Sequence, residues 1–222
     1  MAPSEKELRE ALRYMGVPRG GFEAFAPLAE RGFAELEPVA CRRSCWRRVD
    51  LSLRGSELSL DGGSAFCISG DLSRLFAHCR GCAVMAVTLG PEVDRRIALL
   101  QRSDMASALA LDACASVLAD RLCDELEREI ESGLAGGEYL TLRFSPGYGD
   151  VPMDFTADLL RLLDAGRRLG ITLTRSMMMT PVKSVTALIG ISDREEPRRR
   201  SCSNCGMKNC PYRKKGGFCD DR

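Results

Sequence analysis

The chain has 222 residues, 45% hydrophobic and 28% charged, enough to bury a sizeable core in one large domain or in a domain with an appendage. Its 32 Lys and Arg against 31 Asp and Glu leave a formal net charge of +1, which excludes nucleic-acid binding through overall basicity. The opening Met-Ala-Pro-Ser-Glu-Lys-Glu has no basic segment leading into an apolar one, and no apolar run approaches the roughly 18 residues that span a bilayer, so the expectation is a cytoplasmic protein with no membrane partner.

Leu8, Leu12 and Met15 share one helical face and predict a helix over 5–15, followed by a second over 21–37. Between Arg47 and Leu60 apolar and polar residues alternate around Arg54-Gly55-Ser56, the pattern of a β-hairpin. A short helix is expected at 71–77. Cys82 to Leu89 is continuously apolar and stops at Gly90-Pro91, as a buried strand does. Pro91 suits the first turn of a helix over 91–101.

The longest element is expected at 104–132, where Leu118, Leu122, Leu126 and Ile130 recur every fourth residue. Asp120, Asp124, Glu127 and Glu131 form an acidic ridge on the same helix, which on its own reads as a solvated face. A strand over 139–144, a helix over about 153–169, and strands over 171–175 and 184–192 complete the body. The interspersed elements lack a regular βαβ period. The fold class expected is therefore α+β, with a mixed or antiparallel twisted sheet and flanking helices.

Composition changes near Asp193, where aliphatic residues give way to Glu-Glu-Pro-Arg-Arg-Arg. This divides the chain into a body, 1–194, and a small Cys-rich tail, 195–222. The tail carries Cys202, Cys205, Cys210 and Cys219 in the spacing C-x2-C-x4-C-x8-C, matching the four thiolates of an iron–sulfur cluster or a tetrahedral zinc site. The adjacent Arg200, Lys208, Arg213, Lys214 and Lys215 would favour thiolates over thiols. A nucleic-acid-binding zinc knuckle would need more stacking aromatics than Tyr212 and Phe218.

Eleven cysteines in a chain read as cytoplasmic call for metal, packing or redox roles rather than a disulfide framework. Cys41, Cys45, Cys79 and Cys82 read as free buried thiols rather than a second metal site beside His78. His78 is the one histidine, which argues against a hydrolase built on a histidine dyad or triad. Met177-Met178-Met179 reads as ordinary core, with an adaptable apolar contact face as the alternative.

The segment after strand 139–144 is Arg143-Phe-Ser-Pro-Gly-Tyr-Gly-Asp150. Arg143 presents a guanidinium fork suited to a ligand carboxylate, Gly147 permits close backbone approach, and Tyr148 offers a flat face and a hydroxyl. On pattern alone the same residues also make an ordinary tight turn.

This loop, together with Thr174-Arg-Ser-Met-Met-Met-Thr-Pro-Val-Lys-Ser-Val-Thr-Ala-Leu188 some 25 residues later, resembles the activation domain of cobalamin-dependent methionine synthase. Gly81-Cys82, Thr88-Leu89-Gly90 and Ala119-Asp120-Arg121-Leu122 carry the resemblance further, over roughly 5–192. It implies a domain that binds S-adenosylmethionine and supports one-electron reduction and remethylation of cob(II)alamin held by a partner corrinoid or methionine synthase protein. By position, the family's ligand contacts fall on Arg143, Ser145, Gly147, Tyr148 and Asp124, with Asp120 as the fallback for the acidic one. No protein side chain need act as a nucleophile, so no catalytic residue is assigned.

The resemblance also implies departures. The homocysteine, folate and cobalamin modules of the long enzyme are not matched, so the chain reads as an activation subunit meeting its corrinoid protein in trans. The Cys-rich tail has no counterpart there, which points to an iron–sulfur cluster that delivers the activating electron where the long enzyme uses an external flavoprotein, with an electron-donor protein as a candidate further partner. The competing class is a non-enzymatic iron–sulfur- or zinc-binding module or scaffold for a corrinoid methyltransferase. A doubly wound methyltransferase is disfavoured by the lack of a Gly-rich strand–turn–helix near the start.

Overall fold

In a computed structural model of the chain, residues 2–55, 57–63, 66–67, 70–148 and 151–195 are described. Ser4 starts the first helix, α1 (Glu5–Tyr14), with a capping box: its hydroxyl accepts the Glu7 N–H while the Glu7 carboxylate accepts the Ser4 N–H at 2.8 Å. In chain order there follow α2 (Phe22–Leu36), β1 (Arg43–Arg54), β2 (Glu57–Leu60), β3 (Phe66–Cys67) and α3 (Asp71–Leu75). Next come β4 (Cys79–Thr88), α4 (Pro91–Leu100), the 28-residue α5 (Met105–Ser132) and β5 (Tyr139–Leu140). Helices α6 (Phe155–Leu163) and α7 (Ala165–Leu169) and strands β6 (Thr172–Leu173), β7 (Met179–Thr180) and β8 (Ser184–Ser192) complete the order. The α+β class is borne out: six strands run β3-β2-β1-β4-β8-β5, antiparallel at β1–β2, β2–β3 and β5–β8, with helices interspersed.

By contact density the chain falls into two units. The first comprises the chain up to Ser44, Val87–Glu125 and Leu169–Val185. In it α2 approaches α5 through small residues: Gly32 faces Cys114 and the Ala110 backbone, and the Cys114 thiol donates to Ala29 O at 3.3 Å. Glu35 of α2 pairs with Arg96 of α4, and Arg121 of α5 with Glu7 of α1 at 3.0 Å. Burial pushes the Glu7 carboxyl upward, but the Ser4 hydrogen bonds and the Arg121 charge outweigh it and hold it below the ordinary value. Lys183, nearly buried, reaches Asp112 and Ser116 at 2.9 Å each, while the Val182 N–H donates to Asp94 at 2.7 Å.

The second unit comprises Cys45–Ala86, Leu126–Arg168 and the chain from Thr186, and holds most of the six-stranded sheet. Its hairpin pairs Leu51 with Leu60 and Leu53 with Leu58, placing those leucines on one face as the alternation predicts. Strand β4 is buried over nearly its whole length, as its continuous apolar run requires. On β1, Trp46 donates to Glu129 of α5 at 3.1 Å, and Arg48 forms a forked pair with Glu138.

Three expectations are corrected. The helix over 153–169 is two helices, because Asp164 adopts the left-handed conformation (φ 50°) and turns the chain between the buried Leu163 and Ala165. The strand over 139–144 is regular only at Tyr139–Leu140, for a reason that bears on the site. Met177-Met178-Met179 is not core: Met178 is exposed, the flanking two are half-buried, and the three form the tip and return strand of the small β6–β7 hairpin. The hydroxyl of Thr174 accepts the Met178 N–H across that turn, where Met177 takes φ 62°.

Candidate functional site

Edge strand β5 begins in ordinary antiparallel register with β8, Tyr139 opposite Ser192 and Leu140 opposite Ile191. Thr141 then donates its N–H to Gly190 O at 2.9 Å, but the returning Gly190 N–H is taken by the Thr141 hydroxyl at 2.8 Å instead of by a backbone carbonyl. Pairing resumes at Phe144 and Leu188, which exchange both backbone hydrogen bonds at 2.8 Å. Leu142 and Arg143 therefore stand opposite Ile189 alone: the strand bulges by one residue at Arg143. A bulge interrupts the alternation of side chains and re-aims the one it carries.

The re-aimed side chain is nearly buried. Arg143, 6% exposed, places Nη1 3.1 Å from Oε2 of Glu127 on α5, itself 11% exposed. A guanidinium withdrawn from water requires such a partner, because an unpaired buried charge costs several kcal/mol. Glu127 is the residue of the site that sequence reading missed, having been placed on a solvated ridge. The signal was present: Cys123 four residues before and Ile130 three residues after are both fully buried, so the acid lies within the apolar stripe of its helix.

Beyond the bulge the chain turns sharply. Tyr148 N–H donates to Ser145 O at 3.2 Å, Val151 N–H to Tyr148 O at 3.1 Å, and Gly147 N–H to Val151 O at 2.9 Å. Gly147 holds φ 85°, a conformation that favours glycine. Pro146 and Val151 are buried beneath the turn while Tyr148 stands 70% exposed. The structure thus brings Arg143, Ser145, Gly147 and Tyr148 together in one loop of the second unit, a buried cation at its base and an exposed aromatic at its tip.

Asp124 and Asp120 lie on the portion of α5 that belongs to the first unit, both half-buried. Tyr14 donates to Asp120 at 3.4 Å, a long bond that ties this residue to α1. Asp124 sits one helical turn before Glu127.

Among the described residues no group of three or more His, Cys, Asp or Glu is arranged to hold a metal ion. Cys45, Cys82, Cys114 and Cys123 are buried and outside any disulfide, Cys79 is half-buried, and Cys41 is exposed, contrary to its reading as buried. Burial pushes the Cys82 thiol far above its ordinary value and that of Cys114 to about 12, so neither supplies a thiolate. His78 is exposed. Cys202, Cys205, Cys210 and Cys219 lie outside the described residues. No helix among the described residues is long and apolar enough to cross a membrane.

The fold is thus an α+β domain whose edge strand bulges into a cationic, tightly turned loop. The family described as vitamin B12 dependent methionine synthase, activation domain, matches residues 79–197, which include that loop and more than half of the chain. The chain belongs to this family. Among solved structures it is similar to the MetH reactivation domain bound to AdoHcy, with a TM-score of 0.58 and 17% sequence identity over 88% of this chain and 78% of that one, a likeness of fold. A search of curated proteins finds no match.

Proposed function

We propose that this domain binds S-adenosylmethionine and supports reductive methylation of a corrinoid carried by a partner methionine synthase or methyltransferase protein in the cytoplasm. The observation that carries the reading is the Arg143 loop: a fixed cation beside a glycine turn and an exposed tyrosine, in a chain of the activation-domain family. That the similar solved domain is bound to AdoHcy supports the ligand class. In this reading Arg143 takes the amino-acid carboxylate, the backbone of Ser145 and Gly147 meets the ligand, and Tyr148 lies against the nucleoside. Asp124 is carried over as the family's acidic contact by its position in the sequence alone. The sulfonium is itself a good leaving group and the reduced corrinoid supplies the nucleophile, so the protein contributes orientation and closure.

Calorimetric titration of the full chain with S-adenosylmethionine tests this directly. Saturable binding, lost in Arg143→Ala while circular dichroism is unchanged, is the expected result. Unchanged affinity in the variant removes the site.

For the tail we propose an iron–sulfur cluster on Cys202, Cys205, Cys210 and Cys219 that relays the activating electron from a reduced electron-donor protein to the partner. Support comes from the four-thiolate spacing and the surrounding lysines and arginines. Protein purified without oxygen should contain iron and sulfide and absorb in the visible. Zinc alone, with no visible absorbance, refutes the electron-transfer role.

A further inference from the structure

We infer that Glu127 is the positioning residue that presents Arg143 to the bound carboxylate; this rests on the S-adenosylmethionine reading above. An arginine side chain carries about 2 kcal/mol of rotamer entropy, so an arginine that recognises a carboxylate by geometry needs something to hold its plane before the ligand arrives. At the bulge Arg143 has left the alternation of its strand, and its backbone segment carries the one-residue slip against β8.

Glu127 stands in the interior of a long continuous helix, between Leu126 and Ile130, both of which are buried. Its side chain is 11% exposed and its Oε2 lies 3.1 Å from Arg143 Nη1. Two nearly buried groups in direct charge-assisted contact leave little room for alternative rotamers. The helix thereby fixes one corner of the guanidinium, which sets the direction faced by the rest of its plane. Glu127 also supplies the countercharge that lets the cation persist out of water in the ligand-free state, so the clamp exists before binding and is not assembled by it. It touches neither reacting atom, and its effect is felt through Arg143.

The test compares S-adenosylmethionine binding to the full-length wild type, Glu127→Gln, Glu127→Asp, Arg143→Ala and the Glu127→Gln/Arg143→Ala double variant by calorimetry, with melting temperatures alongside. Glutamine keeps the shape and an accepting oxygen but removes the charge. Expected are an affinity at least about tenfold weaker in Glu127→Gln, partial recovery in Glu127→Asp, and no further loss on adding Glu127→Gln to Arg143→Ala, the non-additivity of one coupled unit. A merely structural glutamate would lower the melting temperature while leaving affinity at temperatures well below it untouched, and that outcome overturns the assignment. So does tighter binding by Glu127→Gln, which would make the glutamate a competitor for the guanidinium. If wild type does not bind, or Arg143→Ala binds as well as wild type, the ligand reading fails and the Glu127 assignment falls with it. Should the Glu127 variants not fold, nitrogen-15 spectra of the wild-type guanidinium decide. Separate, slowly exchanging Arg143 Nη resonances without ligand support the fixed clamp, and a single averaged resonance overturns it.

Discussion

Glu138 accepts from both terminal nitrogens of Arg48, Nη1 at 3.0 Å and Nη2 at 2.6 Å, and also from the backbone N–H of Ala135. The fork joins the exposed face of β1 to the connection between α5 and β5, immediately ahead of the bulge that carries Arg143. The Arg48 hydrogen bonds, followed by that of Ala135, pull the Glu138 carboxyl from its ordinary 4.5 to about 2.

Stability should therefore depend on acid in a definite window. A carboxyl whose folded pKa is depressed contributes fully above its unfolded value, and that contribution is lost as pH falls from about 4.5 through about 2. Arg48 is half exposed, so solvent screening holds the contribution to about 1 kcal/mol. Glu138→Gln should flatten the pH dependence of urea unfolding between pH 5 and 2 relative to wild type, with little change at low pH; parallel curves would show that the fork is energetically idle.

Gly147→Ala tests the turn. Alanine at φ 85° costs about 1–2 kcal/mol in backbone strain, and its Cβ would fall 2.3 Å from the Met153 sulfur, a flexible side-chain atom that can swing aside. The backbone term therefore sets the loss, and it falls on the loop. Global melting should drop by a few degrees while S-adenosylmethionine affinity falls at least severalfold in the same calorimetric assay. Wild-type affinity would show that the φ of Gly147 does not matter to the ligand.

Gly32→Ala probes the first unit independently of any ligand. Helix propensity alone favours alanine by about 1 kcal/mol. Here its Cβ would stand 2.9 Å from the Cys114 sulfur and 3.3 Å from the Ala110 backbone. Overpacking of this kind costs about 1–3 kcal/mol, so destabilisation should win. Combining it with Cys114→Ala removes the sulfur contact but leaves the backbone one, and chemical denaturation should recover part of the loss.

Alkylation should separate the thiols by position. Exposed Cys41 should react with iodoacetamide within minutes at neutral pH, whereas Cys82 and Cys114, both buried and raised by burial, should react only on unfolding. Peptide mass spectrometry of a time course reads this out, and early labelling of Cys82 would contradict a closed β4.

Much of the architecture was legible because burial writes itself into spacing. The every-fourth-residue leucines of α5, the uninterrupted apolar β4 and the leucine pairs of the β1–β2 hairpin each declare which face meets the core, and the elements form at nearly the expected bounds. What failed were features set by a neighbour. Asp164 breaks a helix whose pattern runs through it, because the flanking Leu163 and Ala165 are both buried only if the chain turns there. The Met177–Met179 run is apolar enough for core yet sits at a hairpin tip, since strand pairing with Thr172 and Leu173 decides its place.

The loop itself divides in the same way. Arg143, Pro146, Gly147 and Tyr148 announce a sharp turn with a cation at its root, and sequence alone identified them, along with the family, because turn chemistry is local. That Arg143 sits in a bulge depends on the Thr141 hydroxyl capturing the Gly190 N–H across a strand pair, 49 residues apart in sequence. That Glu127 is buried against it depends on where α5 meets the end of β5. Such long-range pairings depend on several elements packing at once, and no local pattern encodes them; the residues of the loop were written in the sequence, while the geometry around them was decided by the tertiary fold.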